Sequence, residues 1–247
     1  MKVLATYNIK GGVGKTATAV NLAYLAAAEG ARTLVWDLDP QGAASFYFRV
    51  KPKVKGGSEA LITGRRTLDR AIKGTDYDNL DLIPADFSYR NMDLELGETR
   101  KRTRRIDVLL RPMAKDYDYV FLDCPPSISL VSENVFRAAN ALLVPLIPTT
   151  LSMRTFDQLD SFLADNPGRK KQQVLAFFSM VDRRKTLHRE LVEQFGPGRS
   201  DVLDVQIPAA SDIERMGVHR APLPAFAPRS RSAAAYRELW VEIKARI

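Results

Sequence analysis

The sequence predicts an α/β fold built on one mostly parallel, twisted sheet with helices on both faces. Short apolar runs alternate with longer segments of helical periodicity along the 247 residues, and this alternation is typical of βαβ units. A glycine-rich loop stands between the first apolar run and the first helical segment. No internal repeat or linker divides the chain, so we expect residues 1–247 to form a single domain.

The predicted strands are apolar runs rich in β-branched and aromatic residues, without the polar alternation of a solvent-facing sheet. Such continuous runs are typical of parallel strands that are covered on both faces. In chain order they are Val3–Tyr7, Thr33–Trp36, Leu80–Ile83, Tyr119–Leu122, Ala141–Leu146, Val174–Ser179 and, as the last strand, Val202–Gln206.

The predicted helices lie between these strands. The first is rich in alanine and is followed by Gly30, and glycine often ends a helix. The polar segment Lys51–Ser58 and the proline-rich segment Pro222–Pro228 are predicted to be loops. In chain order the helices are Lys15–Glu29, Tyr89–Ala114, Val131–Ala139, Thr155–Ala164, Leu187–Phe195 and Ser232–Arg246.

The composition excludes several classes of protein. The single cysteine, Cys124, rules out a disulfide within the chain and a zinc site built from several cysteines. No apolar stretch approaches the roughly 18 residues of a membrane-spanning helix, and the N-terminus has no signal-peptide pattern. We therefore expect a cytoplasmic protein. Its formal net charge of +8 favours polyanionic partners.

The positive charge is concentrated in two segments. Between Leu96 and Arg111 six basic residues stand against two acidic ones, and from Arg215 to Ile247 seven stand against two. Clustered cations are typical of surfaces that contact phosphates, and a solvated helix face is the alternative.

The loop Asn8–Thr16, which contains K-G-G-V-G-K-T, has the composition of a phosphate-binding loop. Its glycines allow backbone N–H groups to turn toward phosphate oxygens, and the following helix presents its positive end to the same anion. Lys15 is placed to reach the β- and γ-phosphates, and the Thr16 hydroxyl is placed to ligate Mg²⁺. The sequence thus predicts a single-domain P-loop fold.

This loop differs from the ordinary P-loop pattern, because Ile9 stands where glycine is usual and a second lysine, Lys10, opens the loop. It resembles the deviant Walker A motif of the ParA/MinD superfamily. The resemblance implies that ATP and Mg²⁺ are bound, that Lys10 reaches the nucleotide of the second subunit in a homodimer, and that Lys10 and Lys15 act in catalysis. The implied nucleotide-binding residues are Gly11, Gly12, Val13, Gly14, Lys15, Thr16 and Ala17.

Aspartates follow two of the predicted strands. The segment D-L-D-P-Q-G from Asp37 is similar to the family's switch I motif, and Asp123 precedes Cys-Pro-Pro as in its Walker B and switch II region. Carboxylates at strand ends beside a phosphate loop can hold the metal ion or orient the attacking water. By this resemblance, Asp39 orients the water in catalysis. Asp37 and Asp123 would join Thr16 at the metal.

Weaker similarities continue toward the end of the chain. Met180 and Asp182 stand where the family often contacts the nucleotide base, and Pro208 precedes a helix that helps to close the adenine pocket. Many chromosomal members carry an arginine shortly after this proline. This chain has Ala209–Asp212 there, so we do not expect that helix to contact DNA.

The resemblance implies an ATPase that positions a plasmid, a chromosome or a protein organelle. Its partners would be a second copy of the chain, non-specific double-stranded DNA of the nucleoid, and a cargo-linked protein that stimulates hydrolysis. No helix-turn-helix extension precedes the first strand, so we do not expect autoregulation through specific DNA binding. The C-terminal basic segment is expected to contribute more to DNA binding, because the resemblance places late helices beside the dimer face.

Two other enzyme classes share this fold. An iron–sulfur reductase requires two cysteines in each chain to bridge a cluster, and this chain has one. A biosynthetic ligase would share the phosphate loop but would rarely combine Lys10 with D-x-D-P-Q-G, and it is kept as an alternative.

A MinD-like membrane-associated ATPase is the other alternative. The last predicted helix has an apolar stripe, but its polar face carries mixed charges, which favours core packing over membrane binding. The stripe consists of Tyr236, Leu239, Trp240, Ile243 and Ile247.

Overall fold

The computed structural model of the protein describes residues 1–100, 102–165, 172–196 and 198–247. Within these residues seven strands form one sheet. They are β1 (Lys2–Thr6), β2 (Thr33–Asp37), β3 (Lys73–Gly74), β4 (Leu80–Ile83), β5 (Tyr119–Asp123), β6 (Ala141–Leu146) and β7 (Gln173–Phe178). The sheet order is β3-β4-β2-β5-β1-β6-β7, and every pairing is parallel except that of the edge strand β3. The predicted mostly parallel sheet is confirmed, and β3 is an addition to it.

Helices cover both faces of the sheet, as predicted. The α-helices are α1 (Lys15–Ala28), α2 (Ala43–Tyr47), α3 (Gly57–Ile62), α4 (Met92–Gly97), α5 (Arg105–Leu110), α6 (Leu130–Ala138), α7 (Thr150–Asp165), α8 (Thr186–Phe195), α9 (Ser211–Glu214), α10 (Met216–His219), α11 (Leu223–Phe226) and α12 (Arg231–Arg246). The part of the chain that the structure describes also contains three short 3-10 helices, Leu68–Ala71, Phe87–Asn91 and Arg111–Lys115. Among the described residues, no helix is long and apolar enough to cross a bilayer.

Alternate residues of the central strands supply two separate apolar cores. In β2, Leu34 and Trp36 pack in a core that contains residues of α4, α5, α6 and α7, whereas Val35 packs in the core beside α1 and α12. All three side chains are fully buried. Coverage on both faces explains why these strands are continuous apolar runs in the sequence.

The apolar stripe of the C-terminal helix belongs to the second of these cores. Tyr236, Leu239, Trp240 and Ile243 of α12 are buried against α1, and Ile247 packs partly buried beside them. Trp240 Nε1 also donates a hydrogen bond to Glu29 at 3.1 Å. The stripe therefore stabilises the fold, in agreement with the preference for core packing.

The predicted long helix Tyr89–Ala114 is wrong, because two short α-helices, α4 and α5, and parts of two 3-10 helices occupy this segment. The buried Asn134 of α6 is the physical reason. Its Oδ1 accepts hydrogen bonds from the backbone N–H groups of Arg105 and Ile106 at 2.6 and 3.3 Å. It thereby satisfies the first donors of α5 and starts a new helix there. Lys101, in the basic segment, lies outside the described residues.

The predicted last strand Val202–Gln206 is also wrong. Val202 makes a single parallel bridge with Ala176 of β7, and the N–H of Leu203 donates to the carbonyl oxygen of Ala176 at 2.7 Å, but no continuous ladder follows among the described residues. The backbone N–H groups of Asp204 and Val205 instead donate to the carboxylate of Glu242 in α12, at 2.9 and 3.1 Å. The carboxylate of Glu242 thus accepts the two hydrogen bonds that a neighbouring strand would accept in a continuous ladder.

The remaining differences concern the ends of elements. Helix α7 begins five residues before the predicted Thr155–Ala164 helix, and α3 begins inside the predicted loop Lys51–Ser58. The short helix α11 lies within the predicted loop Pro222–Pro228, where Pro222 stands just before its first turn. Proline fits this position because it needs no N–H partner there.

Parallel pairing brings the carboxyl ends of the strands to one edge of the sheet. Thr6 at the end of β1 is in register with Asp123, and Asp123 is in register with Asp37 at the end of β2. The loops that leave β1, β2 and β5 therefore meet at one place, where ligands commonly bind in open α/β sheets.

Candidate active site

The loop between β1 and α1 has the backbone conformation of an anion cradle. Gly12 and Gly14 have φ values of 70° and 96°, in the left-handed region that favours glycine. A Cβ atom on Gly14 would lie 2.9 Å from Ser179 Oγ, so a larger residue would disturb the contact with the end of β7. Gly11 and Gly12 are exposed, whereas Val13 is buried and anchors the loop. The glycines thus have the conformations that an anion cradle requires, and phosphate binding by this loop stays a prediction.

Both lysines of the loop are held by polar contacts. Lys15 is 7% exposed, and its Nζ donates to the carbonyl oxygen of Lys10 at 2.9 Å. The backbone N–H of Lys10 donates to Asn8 Oδ1 at 2.9 Å, and Asn8 Nδ2 donates to the carbonyl of Pro145 at the same distance. Asn8 therefore attaches the start of the loop to β6. Thr16 and Ala17, in the first turn of α1, are half-buried.

Asp37 and Asp123 are two fully buried carboxylates at paired positions on neighbouring strands. Asp123 Oδ1 accepts a hydrogen bond from the Thr6 hydroxyl at 3.4 Å. Asp37 Oδ2 accepts two hydrogen bonds from Ser45, both at 2.7 Å. The other oxygen of each, Asp37 Oδ1 and Asp123 Oδ2, is buried without a hydrogen-bond partner among the described residues. Such a pair of carboxylates is costly to bury unless a cation lies beside it.

Burial and the closeness of the two carboxylates shift the pKa values of the ionisable groups in the site. Burial raises the pKa of Asp37 to about 6, and the hydrogen bonds from Ser45 oppose that shift. Burial and then the charge of Asp37 raise the pKa of Asp123, whereas the Thr16 hydroxyl lowers it. Burial lowers the pKa of Lys15, and the nearby charge of Asp123 counteracts this effect. These shifts reflect two neighbouring carboxylates and one ammonium group that are buried in the same site.

The residues present fit Mg²⁺. The ion binds oxygen ligands and is usually held by one or two carboxylates together with phosphate oxygens and water. Asp37 and Asp123 supply the carboxylates, and the Thr16 hydroxyl lies beside Asp123. Among the described residues no cluster of three or more His, Cys, Asp or Glu side chains is arranged to hold a metal alone. Such an open donor set suits a metal that arrives with a phosphate ligand.

Asp37→Asn is expected to stabilise the metal-free protein. The amide oxygen still accepts from Ser45, the amide N–H₂ lies beside Asp123, and one buried charge is removed. The folded wild-type carboxyl keeps its proton to about pH 6 because its pKa is raised to that value, whereas the unfolded carboxyl releases its proton near 3.8, the ordinary pKa of an aspartate. The free energy of unfolding of the wild-type protein should therefore fall as pH rises between these values.

The measurement is thermal unfolding in EDTA without nucleotide. At pH 7.5 we expect a Tm higher by roughly 5 °C, since about 2 kcal/mol of destabilisation is removed. Asp78→Asn, at an exposed position, is the matched control and should leave Tm unchanged. An unchanged or lower Tm for Asp37→Asn would show that the buried charge of Asp37 does not destabilise the metal-free protein.

Asp39 lies in a turn directly after this pair. Its Oδ1 accepts a hydrogen bond from the N–H of Gln41, and its carbonyl oxygen accepts one from Gly42, both at 2.9 Å. Its charge raises the pKa values of Asp123 and Lys15, so it lies within electrostatic reach of both. The structure thus brings Asp37, Asp39 and Asp123 to the lysine of the loop, as the sequence pattern predicted.

The three predicted base-contacting residues lie together beside the loop. Val181 bridges to Pro208, which aligns the segment of Met180 and Asp182 with the segment of Pro208. Met180 has a left-handed φ of 56° and follows Ser179, the residue against Gly14. A groove of about 880 Å³ opens next to them, and its lining includes Asp182, Pro208, Ala209 and Arg231.

The carboxylate of Asp182 is held by a neighbouring arginine. Both Asp182 oxygens accept hydrogen bonds from the Arg184 guanidinium at 2.9 Å, which lowers the pKa of Asp182 to about 2. The backbone N–H of Asp182 donates to His188 Nδ1 at 3.1 Å. These contacts shape the segment, and its contact with a base stays a prediction.

The five residues of the C-terminal basic cluster differ in their surroundings. Arg237 donates to the carbonyl of Pro228, Lys244 pairs with Glu29, and Arg246 donates to the carbonyl of Ser200. Arg229 and Arg231 are exposed at the start of α12. Arg229 and Arg231 are therefore the most available for contact with a partner, among the cluster that consists of Arg229, Arg231, Arg237, Lys244 and Arg246.

The other basic segment lies beside a pair of arginines that are remote in the sequence. Arg105 donates to the carbonyl of Leu61 at 3.3 Å, and a Cβ on Gly64 would lie 2.8 Å from Arg105 Nη2. Arg65 and Arg66 follow Gly64 directly, and Arg65 forms an ion pair with Glu59. The fold thus extends this basic surface with residues that the charge pattern did not connect to it.

The sequence analysis missed Asn8, Thr6 and Ser45, which hold the loop and the two carboxylates. Asn8 is the first residue of the phosphate loop, and this position was a usable signal for a structural role. Ser45 stands eight residues after Asp37, and its hydroxyl carried no pattern that separates it from a surface serine.

Cys124 is packed as a small apolar residue. Its side chain is 1% exposed, and burial raises the pKa of its thiol. A buried thiol with a raised pKa is a poor nucleophile. The chain's one cysteine is therefore unsuited to the glutamine hydrolysis that an amidating enzyme would require.

Two sequence comparisons match this chain with known proteins. A family model described as an AAA domain matches residues 1–174. The chromosome partitioning protein ParA of Caulobacter vibrioides is 33% identical over 258 residues, which cover 100% of this chain and 95% of that protein.

Two solved structures are similar in fold. Cobyrinic acid a,c-diamide synthase from Mycobacterium smegmatis, with bound ATP analog and magnesium, is 27% identical with a TM-score of 0.83, covering 97% of this chain and 92% of that one. The cell division ATPase MinD of Pyrococcus furiosus is 19% identical with a TM-score of 0.79, covering 100% and 99%. At 19% identity, the similarity to MinD shows only that the two proteins share a fold.

Proposed function

Because the chain belongs to the ParA/MinD superfamily, we propose that it is a switch ATPase that positions a cargo by cycling between an ATP-bound dimer and a monomer. The observation that carries this proposal is the buried carboxylate pair, Asp37 and Asp123, beside a phosphate cradle that holds two lysines. The bound ATP analog and magnesium named for the relative at 27% identity support ATP and Mg²⁺ as the ligands.

In the proposed site, the chain's own residues bind and orient the nucleotide. Backbone N–H groups of Gly11–Thr16 and the ammonium of Lys15 neutralise the phosphates. Thr16, Asp37 and Asp123 would hold Mg²⁺, which neutralises charge on the β- and γ-phosphates when it is bound. Asp39 orients the attacking water, and the segment of Met180, Asp182 and Pro208 contacts the base.

Lys10 is the residue that couples the nucleotide to dimerisation. Its backbone is fixed by Asn8 and by Lys15 Nζ, so the position from which its side chain extends is well defined. We assign this side chain to the nucleotide of the second subunit. ATP would then stabilise the dimer, and hydrolysis would weaken it by removing the anion that Lys10 contacts.

The partner surface of the dimer is proposed to bind duplex DNA without sequence preference. The net charge of +8 and the exposed Arg229 and Arg231 support phosphate contacts, which require charge but no base recognition. The buried apolar stripe of α12 favours DNA over a membrane, because that helix has no apolar face left for lipid. The proposed location is the cytoplasm, associated with the nucleoid.

Replacing Arg229 and Arg231 together with glutamine is expected to weaken ATP-dependent DNA binding about tenfold at 0.1 M salt. Each lost phosphate contact also lowers the salt dependence, by roughly 0.9 in the slope of log affinity against log salt. The measurement is fluorescence anisotropy with two duplexes of unrelated sequence, with ATP and with ADP. Arg102→Gln with Arg104→Gln is the matched double variant and should have the smaller effect.

Three outcomes would contradict parts of this proposal. If the Arg229/Arg231 variant binds DNA with wild-type affinity, DNA binding must be assigned to another surface. Capture of the ATP-bound protein by vesicles of acidic lipid, without DNA binding, would favour the MinD-like alternative. If ATP promotes neither dimerisation nor DNA binding but is consumed with a small-molecule acid and an amine donor, the ligase alternative is correct.

A further inference from the structure

Ser45 connects the metal-site carboxylate to a neighbouring strand. It is fully buried in α2, a short helix that follows the switch I turn. Its N–H and its hydroxyl both donate to Asp37 Oδ2, each at 2.7 Å. The N–H of Ala85, in the turn after β4, donates to the same hydroxyl oxygen at 2.9 Å.

These contacts determine the direction of the hydroxyl proton. Because the oxygen of Ser45 accepts from Ala85, its single hydrogen is directed to Asp37. Two donors on Oδ2 then fix the carboxylate plane and leave Oδ1 as the oxygen without a partner. Asp37 is in register with Asp123 on the neighbouring strand. The Oδ2 atom of Asp123, like the Oδ1 atom of Asp37, is buried without a hydrogen-bond partner among the described residues.

We propose that Ser45 is the positioning residue of the Mg²⁺ site: its two hydrogen bonds hold Asp37 so that one defined oxygen is directed to the metal. The inference rests on the proposed function, in which Asp37 and Asp123 hold that ion. Groups that orient a metal ligand raise metal affinity by about 10- to 100-fold, because the ligand loses less freedom on binding.

Ser45→Ala is expected to raise the free Mg²⁺ concentration at half-saturation about 10- to 100-fold. The readout is a Mg²⁺ titration of the protein with a fluorescent, non-hydrolysable ATP analogue at fixed concentration. Affinity for the analogue in EDTA should be unchanged, because Ser45 does not contact the phosphate loop. Ser45→Thr retains the hydroxyl and should restore most of the Mg²⁺ affinity.

Ser58→Ala is the matched control for the loss of a buried hydroxyl. Ser58 is also fully buried on a short helix, and its hydroxyl contacts Glu95 and the carbonyl of Ser88 at 2.8 and 3.0 Å. This variant should lower Tm in EDTA and leave the Mg²⁺ midpoint unchanged. If Ser45→Ala does not fold, Ser45→Cys keeps the volume with a much weaker donor, and the same shift is expected.

Two results separate failure of this inference from failure of the proposed function. A Mg²⁺ midpoint for Ser45→Ala or Ser45→Cys equal to that of the wild type would overturn the positioning role alone. Equal midpoint shifts in the Ser45 and Ser58 variants would reduce that role to general stability. If the wild-type protein binds the analogue with no dependence on Mg²⁺, the assignment of the metal site itself is wrong.

Discussion

Lys15→Ala is expected to abolish ATP binding, with a loss of affinity of roughly 100-fold or more. Lys15 is 7% exposed at the first position of α1, and its ammonium is held over the loop by the carbonyl of Lys10. In the proposed site this buried cation would exchange that carbonyl for phosphate oxygens. Alanine leaves the loop with backbone donors only.

The measurement is equilibrium binding of a fluorescent ATP analogue with Mg²⁺ present. Lys15→Met keeps the apolar stem of the side chain, so equal losses in both variants would assign the effect to the charge and not to packing. Lys53→Ala, at an exposed position, should bind as the wild type does. If Lys15→Ala and Lys15→Met both bind the ATP analogue with unchanged affinity, the assignment of the nucleotide to this loop is wrong.

Asp39→Ala is expected to leave ATP binding largely intact and to stop hydrolysis, so that the dimer persists. The phosphate cradle and the carboxylate pair do not depend on this side chain, whereas in the proposed site orientation of the water would depend on it. We expect turnover to fall about 100-fold or more, within the range for loss of such a positioning contact. Size-exclusion chromatography with ATP should show a lasting dimer, and phosphate release should be close to background.

Asp39→Asn separates the two roles of this residue. Asparagine keeps an oxygen that accepts from Gln41, so the turn survives, but it removes the charge to which we assign orientation of the water. We expect it to behave as Asp39→Ala does, and Asp78→Ala at the far end of the sheet should turn over normally. Normal turnover in Asp39→Asn would mean that Asp39 serves only the turn.

Much of the site was predictable because its parts are local in the chain. A strand, a glycine-rich loop and a helix follow one another within Lys2–Ala28, and their order alone defines an anion cradle. Asp37 and Asp123 end apolar runs, and parallel strands bring such ends to one edge of a sheet. Local pattern and the rule for parallel sheets were therefore sufficient to place these groups together.

The failed predictions depend on contacts between distant residues. Helical periodicity continues across Tyr89–Ala114, but the Oδ1 of Asn134 accepts hydrogen bonds from the N–H groups that start α5 within it. A β-branched run at Val202–Gln206 has strand character, but Glu242 of α12 accepts hydrogen bonds from the N–H groups of Asp204 and Val205 in that run. Neither partner is visible to a local pattern, because each comes from another helix of the folded chain.

The sequence by itself determined the α/β class, the phosphate loop and the strand-end aspartates, since each is encoded by neighbours in the chain. Only the tertiary structure decided which oxygens of Asp37 and Asp123 stay without a partner, which serine orients Asp37, and which arginines of the C-terminal cluster are engaged within the fold. The physical reason is that hydrogen bonds and burial depend on the packing of segments that are remote in sequence, such as Ser45 and Ala85, and packing exists only in the folded chain.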